Sequence, residues 1–337
     1  MKRYGDQLAP PIAKELKKDA KLEGAPTDSR RFNEAELMER EASYGRSGFA
    51  LQFMLDPSLE DFTRFPLKCA DLVVMDIDES KAPENLIWSG GADYVIPDLP
   101  NVAFAGDHFH KPMAIDGDWL DFSGSVMAVD PSGRGADETS YAIVKVLNGF
   151  MYVQECTGIA GGYGKDVLEK LANKAKRYKV NLILVEVNFG DGMFLELLKP
   201  YLRRIYPVTC EEVRHSIQKQ KRIIDTLEPV MNQHKLVVSP KLIREDYEST
   251  FNMPPEKQNQ YRLFYQMTRL SRDKNSLVHD DRLDVLSMAV SYWVMAAGLE
   301  AKEQMNYRRE ELLKAQLDSI MDTKPHGQGP EGDNTWM

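Results

Sequence analysis

The stretch "LILVEVNFGDG", residues 182 to 192, places a carboxylate where few folds tolerate one. Leu182 to Val185 are four consecutive aliphatic residues, the pattern of a strand buried on both faces, and Glu186 follows at once. An ionised carboxylate at the end of such a strand is costly to desolvate unless a positive charge pairs it. The chain must therefore build an interior sheet and bring a compensating charge to the tip of this strand.

The surrounding residues supply the rest of that sheet. "GSVMAVD" reads as a short buried strand ending on Asp130, followed by the turn "PSGRGADE". "TSYAIVKVL" and "GFMYVQECTG" form a meander joined at Asn148-Gly149, a dipeptide suited to a two-residue hairpin. "GKDVLEKLANKAKRYKV" carries an apolar stripe at Val167, Leu168, Leu171 and Ala175 with a polar back, as an amphipathic helix does. After the strand ending on Glu186 come a helix "GMFLELLKPYLRR" and a strand "RIYPVTCEEV". The order strand, strand, strand, helix, strand, helix, strand predicts an α/β fold, an RNase H-like mixed sheet flanked by helices in which the helical crossovers make the later strands parallel. A basic helix "SIQKQKRIIDTLEPVMNQ", a strand "KLVVS" and a long apolar helix over 281–299 complete the domain, expected over 124–300.

The preceding residues have a different texture. Residues 1–31 read as an extended connector rich in Lys, Pro and Asp. Residues 32–123 read as a partly helical, proline-rich linker: a helix capped by Asn33 and broken near Gly45 and Gly48, then short strands among prolines. The main boundary is expected near Ser123. Residues 301–337 are charged, then Pro/Gly/Asn-rich from His326, and are expected to be disordered or recruited by a partner.

Composition excludes some classes. A net charge of −9 argues against a wholesale nucleic-acid coat without excluding local basic grooves. Cys69, Cys156 and Cys210 are far apart, odd in number and lack metal-ligand spacing, which points to a reducing compartment and three buried thiols. No apolar run approaches a membrane span and the first residues lack a secretory h-region, so a cytosolic, membrane-free protein is expected.

In the predicted strand order, Asp130 and Glu186 end neighbouring strands, and both carboxylates project from one sheet edge. A third acidic source is "HDDRLD", where Asp281 and Asp284, three apart, share a helical face. Carboxylates so close repel unless a cation sits among them, and Asp/Glu oxygens suit hard Mg²⁺ or Mn²⁺. Two such ions roughly 3.5–4 Å apart activate a water and stabilise the leaving oxygen in phosphodiester hydrolysis. Taken alone, an Asp before "PSG" is turn chemistry and the "HDD" run is an N-cap with dipole-favouring acids. Glu186 resists such a reading, since turn-formers are Asp or Asn rather than Glu.

Lys219, Lys221 and Arg222 fall within one helical turn, and Arg269, Arg272 and Lys274 flank the aromatic stretch before the acidic cluster; both are candidate DNA contacts, and a solvated face explains either equally. Phe264 and Tyr265 read as core. His279 either orients a carboxylate or caps a loop, and Arg134 in "GRG" is a weak phosphate candidate. "DLVVMDIDES" imitates the metal-binding strand of a P-loop ATPase, but no G-x-x-x-x-G-K-[ST] occurs in the chain, so Asp76 and Asp78 are assigned to a strand and turn.

"DPSGRGADET", "VEVNFGDGMF", "QKQKRIIDTLEP" and "LVHDDRLDVLSMA" closely resemble the nuclease half of the terminase large subunit of short-tailed, podovirus-type bacteriophages. The likeness reaches back into "EREASYGRSGFALQFMLDPSL", similar to that family's connection between ATPase and nuclease. The resemblance implies a metal-dependent endonuclease that cuts concatemeric viral DNA during genome packaging in the cytoplasm of the infected host. Its implied ligands for two Mg²⁺ or Mn²⁺ ions are Asp130, Glu186 and the Asp281/Asp284 pair, with Asp281 preferred as third ligand and Asp280 the neighbouring register. The implied partners are double-stranded viral DNA, the portal protein and the small terminase subunit; because the ATPase motifs are missing from these residues, the resemblance implies a truncated terminase, a fragment of one, or one split between two genes with a separate ATPase-bearing polypeptide as a further partner. Two alternatives stand beside it: a resolvase-type nuclease of the same fold, and a non-catalytic module that docks on the portal or small subunit.

Overall fold

The computed structural model describes residues 10–19, 22, 25–49, 52–53, 64–132, 138–187 and 192–299. The chain divides into two units, residues 1–291 and 292–337. In the second, the described residues 292–299 are helical.

In the first unit the elements are α1 (Pro10–Lys18), α2 (Glu34–Phe49), β1 (Val73–Val74), β2 (Lys81–Ile87), β3 (Ala114–Asp121), β4 (Gly124–Asp130), β5 (Glu138–Leu147) and β6 (Phe150–Ala160). There follow α3 (Lys165–Arg177), β7 (Leu182–Glu186), α4 (Met193–Ile205), β8 (Thr209–Val213), α5 (Lys219–Asn232), β9 (Leu236–Val238), α6 (Pro240–Glu248) and α7 (Leu263–Arg269). A helix, α8, begins at residue 281. The main sheet has seven strands in the order β1-β9-β6-β5-β4-β7-β8. Its β4-β5-β6 meander is antiparallel, whereas β7 joins β4, and β8 joins β7, in parallel through the crossover helices α3 and α4. This is the mixed α/β sheet that the element order predicts. The hairpin dipeptide Asn148-Gly149 has positive φ at both residues, 50° and 79°, the conformation that a two-residue turn between right-twisted strands requires.

Side-chain alternation divides the sheet into two faces. Met127, Val129, Ile143, Ile183 and Val185 pack with Leu171 and Leu198 of α3 and α4. The intervening residues, ending in Asp130 on β4 and Glu186 on β7, face the other side. A one-residue slip would exchange the two sets, so the burial of the first fixes the direction of the second.

The linker residues join this sheet. Val73 and Val74 pair in parallel with Val237 and Val238 at its edge. Residues on both sides of Ser123, including Val73, Ala82 and Leu86 with Leu147, Tyr152 and Val237, share one apolar cluster. Asn33 caps α2 as expected and does so reciprocally: its Oδ1 accepts from Glu36 N at 2.9 Å while Glu36 Oε2 accepts from Asn33 N at 3.1 Å. The helix break expected near Gly45 and Gly48 does not occur, since α2 runs unbroken to Phe49. A helix absorbs single glycines at about 1 kcal/mol each. Asp78 is turn chemistry: its Oδ1 accepts from Ser80 N and Lys81 N at 2.7 and 2.9 Å. Cys69 and Cys156 are buried free thiols, while Cys210 is partly buried. Residues 301–337 and the "GRG" turn with Arg134 lie outside the described residues, as do 188–191 of the glycine-rich turn.

Candidate metal centre

Parallel pairing of β4 with β7, with Val129 opposite Val185, carries the next residues, Asp130 and Glu186, to the same end of the sheet. Asp284 reaches the same place from the first turn of α8. One carboxylate oxygen from each of Asp130, Glu186 and Asp284 lies within 4.8 Å of the others. Asp130 and Asp284 are buried, and the Glu186 side chain is only 11 % exposed. Burial first, and then the neighbouring charge of Glu186, hold the Asp130 carboxyl well above the usual carboxylate range.

Two cations from α5 face this group. Lys219 Nζ lies 2.7 Å from Asp280 Oδ1, 3.1 Å from Asp284 Oδ2 and 3.5 Å from Asp281 Oδ1. Arg222 Nη2 lies 2.7 Å from Asp284 Oδ1 and 3.9 Å from Glu186 Oε1. Burial works against the Lys219 charge, but Asp284 and Asp280 outweigh it and hold the ammonium well above the ordinary lysine range. Burial, then the positive charge of Arg222, lower the neighbouring His215. Asp281 sits on the rim, sharing Lys219 and lying 4.0 Å from His279 Nδ1. Its carboxyl is raised by burial, against the pull of Lys219. The His279 ring stacks on Tyr261 at 4.1 Å.

The other sequence candidates take different places. Lys221 is exposed on α5 while Lys219 and Arg222, three apart, turn inward. The guanidinium of Arg269 lies 3.4 Å from the centroid of the Phe104 ring. Arg272 pairs with Asp225 and Glu228 of α5 at 2.6 and 2.7 Å. Phe264 is core, packed edge-on to Phe109. The inward role of Lys219 is not legible in the sequence, because i, i+3 spacing reports which residues share a face and not what the face meets. Arg282 was also missed. A lone arginine in the apolar run "RLDVLSMAV" is the signal that it needs buried acidic partners.

The donor set fits a hard divalent cation. All of it is carboxylate oxygen, and Asp284 Oδ2 is buried and takes no hydrogen bond from the described residues, its charge met by the Lys219 ammonium at 3.1 Å, a position that a divalent cation would contest. A shallow cleft lined by Pro131, Tyr163, Glu186, Phe194 and Glu212 opens beside Glu186.

Residues 129–236 match the family model described as Terminase Bacteriophage T7, Ribonuclease H-like domain. Over 97 % of its length the chain is 39 % identical to the terminase large subunit of Enterobacteria phage T3, of which it covers 55 %. The chain thus spans about half the length of that relative. Among solved structures, the large terminase nuclease of thermophilic phage G20c superposes with a TM-score of 0.36 at 11 % identity, covering 68 % of this chain and 98 % of that one. The nuclease domain of the large terminase subunit of bacterial virus Sf6 gives 0.35 at 14 % identity, covering 51 % and 90 %.

Proposed function

We propose that the chain, similar to a terminase large subunit along nearly its whole length and to a terminase RNase H-like domain over residues 129–236, is the nuclease portion of such a subunit, cutting concatemeric viral DNA during genome packaging. The observation that carries this reading is the convergence of Asp130, Glu186 and Asp284 at one end of the sheet. These three are the proposed ligands of two Mg²⁺ or Mn²⁺ ions, with Asp281, on the rim beside Lys219, completing the set from outside. When bound, the ions supply Lewis acidity to the scissile phosphate and lower the pKa of a water.

The chain's own residues do the remaining work. Asp130 and Glu186, fixed by strand register, define where the reacting phosphate sits. Asp284 closes the group from α8. Lys219 and Arg222 balance the carboxylates in the absence of metal. The exposed Lys221 on the same helix is kept as a proposed contact for phosphodiester oxygens. Arg269 and Arg272 are retained as outer DNA contacts, although Phe104 and the acids of α5 now occupy them.

Double-stranded viral DNA is the proposed substrate, with the portal protein and the small terminase subunit as partners in the host cytoplasm, and an ATPase half, on the same polypeptide or another, as the motor. No G-x-x-x-x-G-K-[ST] occurs in these residues, so no ATP site is proposed within them. None of the described helices is long and apolar enough to cross a membrane.

Plasmid cleavage without ATP tests the reading, with wild type beside Asp130→Asn in Mg²⁺, Mn²⁺ or EDTA. Nicking and linearisation that need the metal, and that Asp130→Asn loses while staying folded, are expected. Cleavage that survives in Asp130→Asn or in EDTA would rule out the metal centre. A folded wild type inert with every metal would favour a docking module.

A further inference from the structure

The third proposed ligand, Asp284, belongs to a different element from the other two, so something must fix α8 against the sheet to within the tolerance of a metal site. Arg282 has the geometry to do this. It is among the largest fully buried side chains, and its guanidinium grips three groups at once. Nε and Nη2 donate to the two oxygens of Glu138 at 2.6 and 3.0 Å. Nη1 donates to Asp246 Oδ1 at 2.9 Å and to Ser249 Oγ at 2.8 Å. Asp246 in turn accepts from the backbone of Leu263 and Phe264 at the start of α7. The Arg282 carbonyl accepts from Cys156 Sγ on β6 at 3.2 Å.

The far end of the grip is tied to the strands that carry the site. Asp130 on β4 lies opposite Ser140 on β5, and Glu138 leaves β5 on the same face two residues away. Ser140 lies opposite Gly158 on β6, and the Glu138 carboxylate fills the space that a side chain at Gly158 would take. A Cβ there would stand 1.9 Å from the Glu138 carboxyl carbon. At the near end, residues two apart on a helix point in different directions. Arg282 therefore faces β5 and α6 while Asp284 faces β4, β7 and α5. Holding the one sets the rotation of α8 that aims the other.

We propose that Arg282, clamped by Glu138 and Asp246, is a positioning residue that sets Asp284 against Asp130 and Glu186 for metal binding. The proposal rests on the metal centre proposed above. Outer partners that orient ligands change metal affinity by about 10–100-fold when removed.

The test is Mn²⁺ binding to the full chain by isothermal titration calorimetry, with folding followed by circular dichroism. Gly158→Ala pushes only the Glu138 carboxylate out of the grip, Glu138→Gln removes its charge, and Arg282→Lys keeps the charge but loses the fork. The control is Glu155→Gln. Glu155 accepts from Tyr141, Lys174 and Tyr178 on the opposite face of the sheet from Asp130 and Glu186 and contributes nothing to the grip.

Gly158→Ala and Glu138→Gln are expected to fold and to bind Mn²⁺ at least about tenfold more weakly. Glu155→Gln is expected to lose thermal stability at unchanged affinity. Wild-type affinity in either folded grip variant would overturn the proposal, as would an equal loss of affinity in Glu155→Gln. Should neither variant fold, Arg282→Lys decides by the same criterion. A wild type that binds no Mn²⁺ overturns the metal centre itself, an outcome distinct from the others.

Discussion

Five acidic side chains, Asp130, Glu186, Asp280, Asp281 and Asp284, and two basic ones, Lys219 and Arg222, meet where β4, β7, α5 and α8 converge, and their charges hold each other in place. Lys219 is the most heavily engaged, with Asp280, Asp281 and Asp284 all within 3.5 Å of its ammonium. Its side chain is 33 % exposed, so solvent screens part of the interaction. Removing one partner of a buried ion pair leaves the others desolvated and uncompensated. Lys219→Ala is expected to destabilise the metal-free protein by about 1–3 kcal/mol, less than a fully buried pair would give. Mn²⁺ should restore much of that loss, because a divalent ion compensates the same carboxylates. Urea unfolding of both proteins with and without Mn²⁺ checks this, and equal stability of the two without metal would show that the pairs contribute nothing net. Arg222, one turn further along α5, shares Asp284 with Lys219 and reaches Glu186, so the pair turns inward while Lys221 stays in solvent.

Among the elements, α4 enters at a constrained point beside the site. Gly192 precedes it with φ of +83°, a left-handed conformation that costs an L residue roughly 1–2 kcal/mol. A Cβ at Gly192 would also stand 2.3 Å from Glu212 Oε1 on β8. Gly192→Ala is therefore expected to lower stability by about 1–3 kcal/mol through backbone strain and displacement of Glu212. Thermal unfolding measures the loss, and an unchanged midpoint would mean that α4 can start differently. Element identity in this half was largely legible beforehand, because strands and helices here carry clean local signals: the short aliphatic runs of β4 and β7, the apolar stripe of α3, and the Asn148-Gly149 turn. The unbroken α2 and the unforeseen helices α6 and α7 were not. In α2 a continuing helix overrode two glycines, and α6 and α7 are short, with turn residues around them that read as loop.

At the scale of the whole chain, a metal that binds only the folded state must stabilise it by mass action. At a hundredfold excess of Mn²⁺ over its Kd, the gain is about 2.7 kcal/mol, and EDTA should abolish it. Differential scanning calorimetry across a Mn²⁺ series is the check, and a midpoint independent of Mn²⁺ would exclude a site formed by folding. The sequence by itself determined the succession of strands and helices from β4 to β9, the projection of Asp130 and Glu186 from neighbouring strand tips, and the likeness to the terminase nuclease half, while the seventh strand, β1, came from residues that read as linker. Each of those depends on local periodicity or on a short motif, and such patterns are written along the chain. Only the tertiary structure decided that Asp284 joins Asp130 and Glu186 while Asp281 stays at the rim, that Lys219 and Arg222 face the acids, and that Arg282 ties α8 to β5. Those outcomes depend on the rotation of one helix against a sheet assembled from distant residues. Spacing places Asp281 and Asp284 on one helical face, but the packing of the residues between and beyond them decides which of the two reaches the sheet.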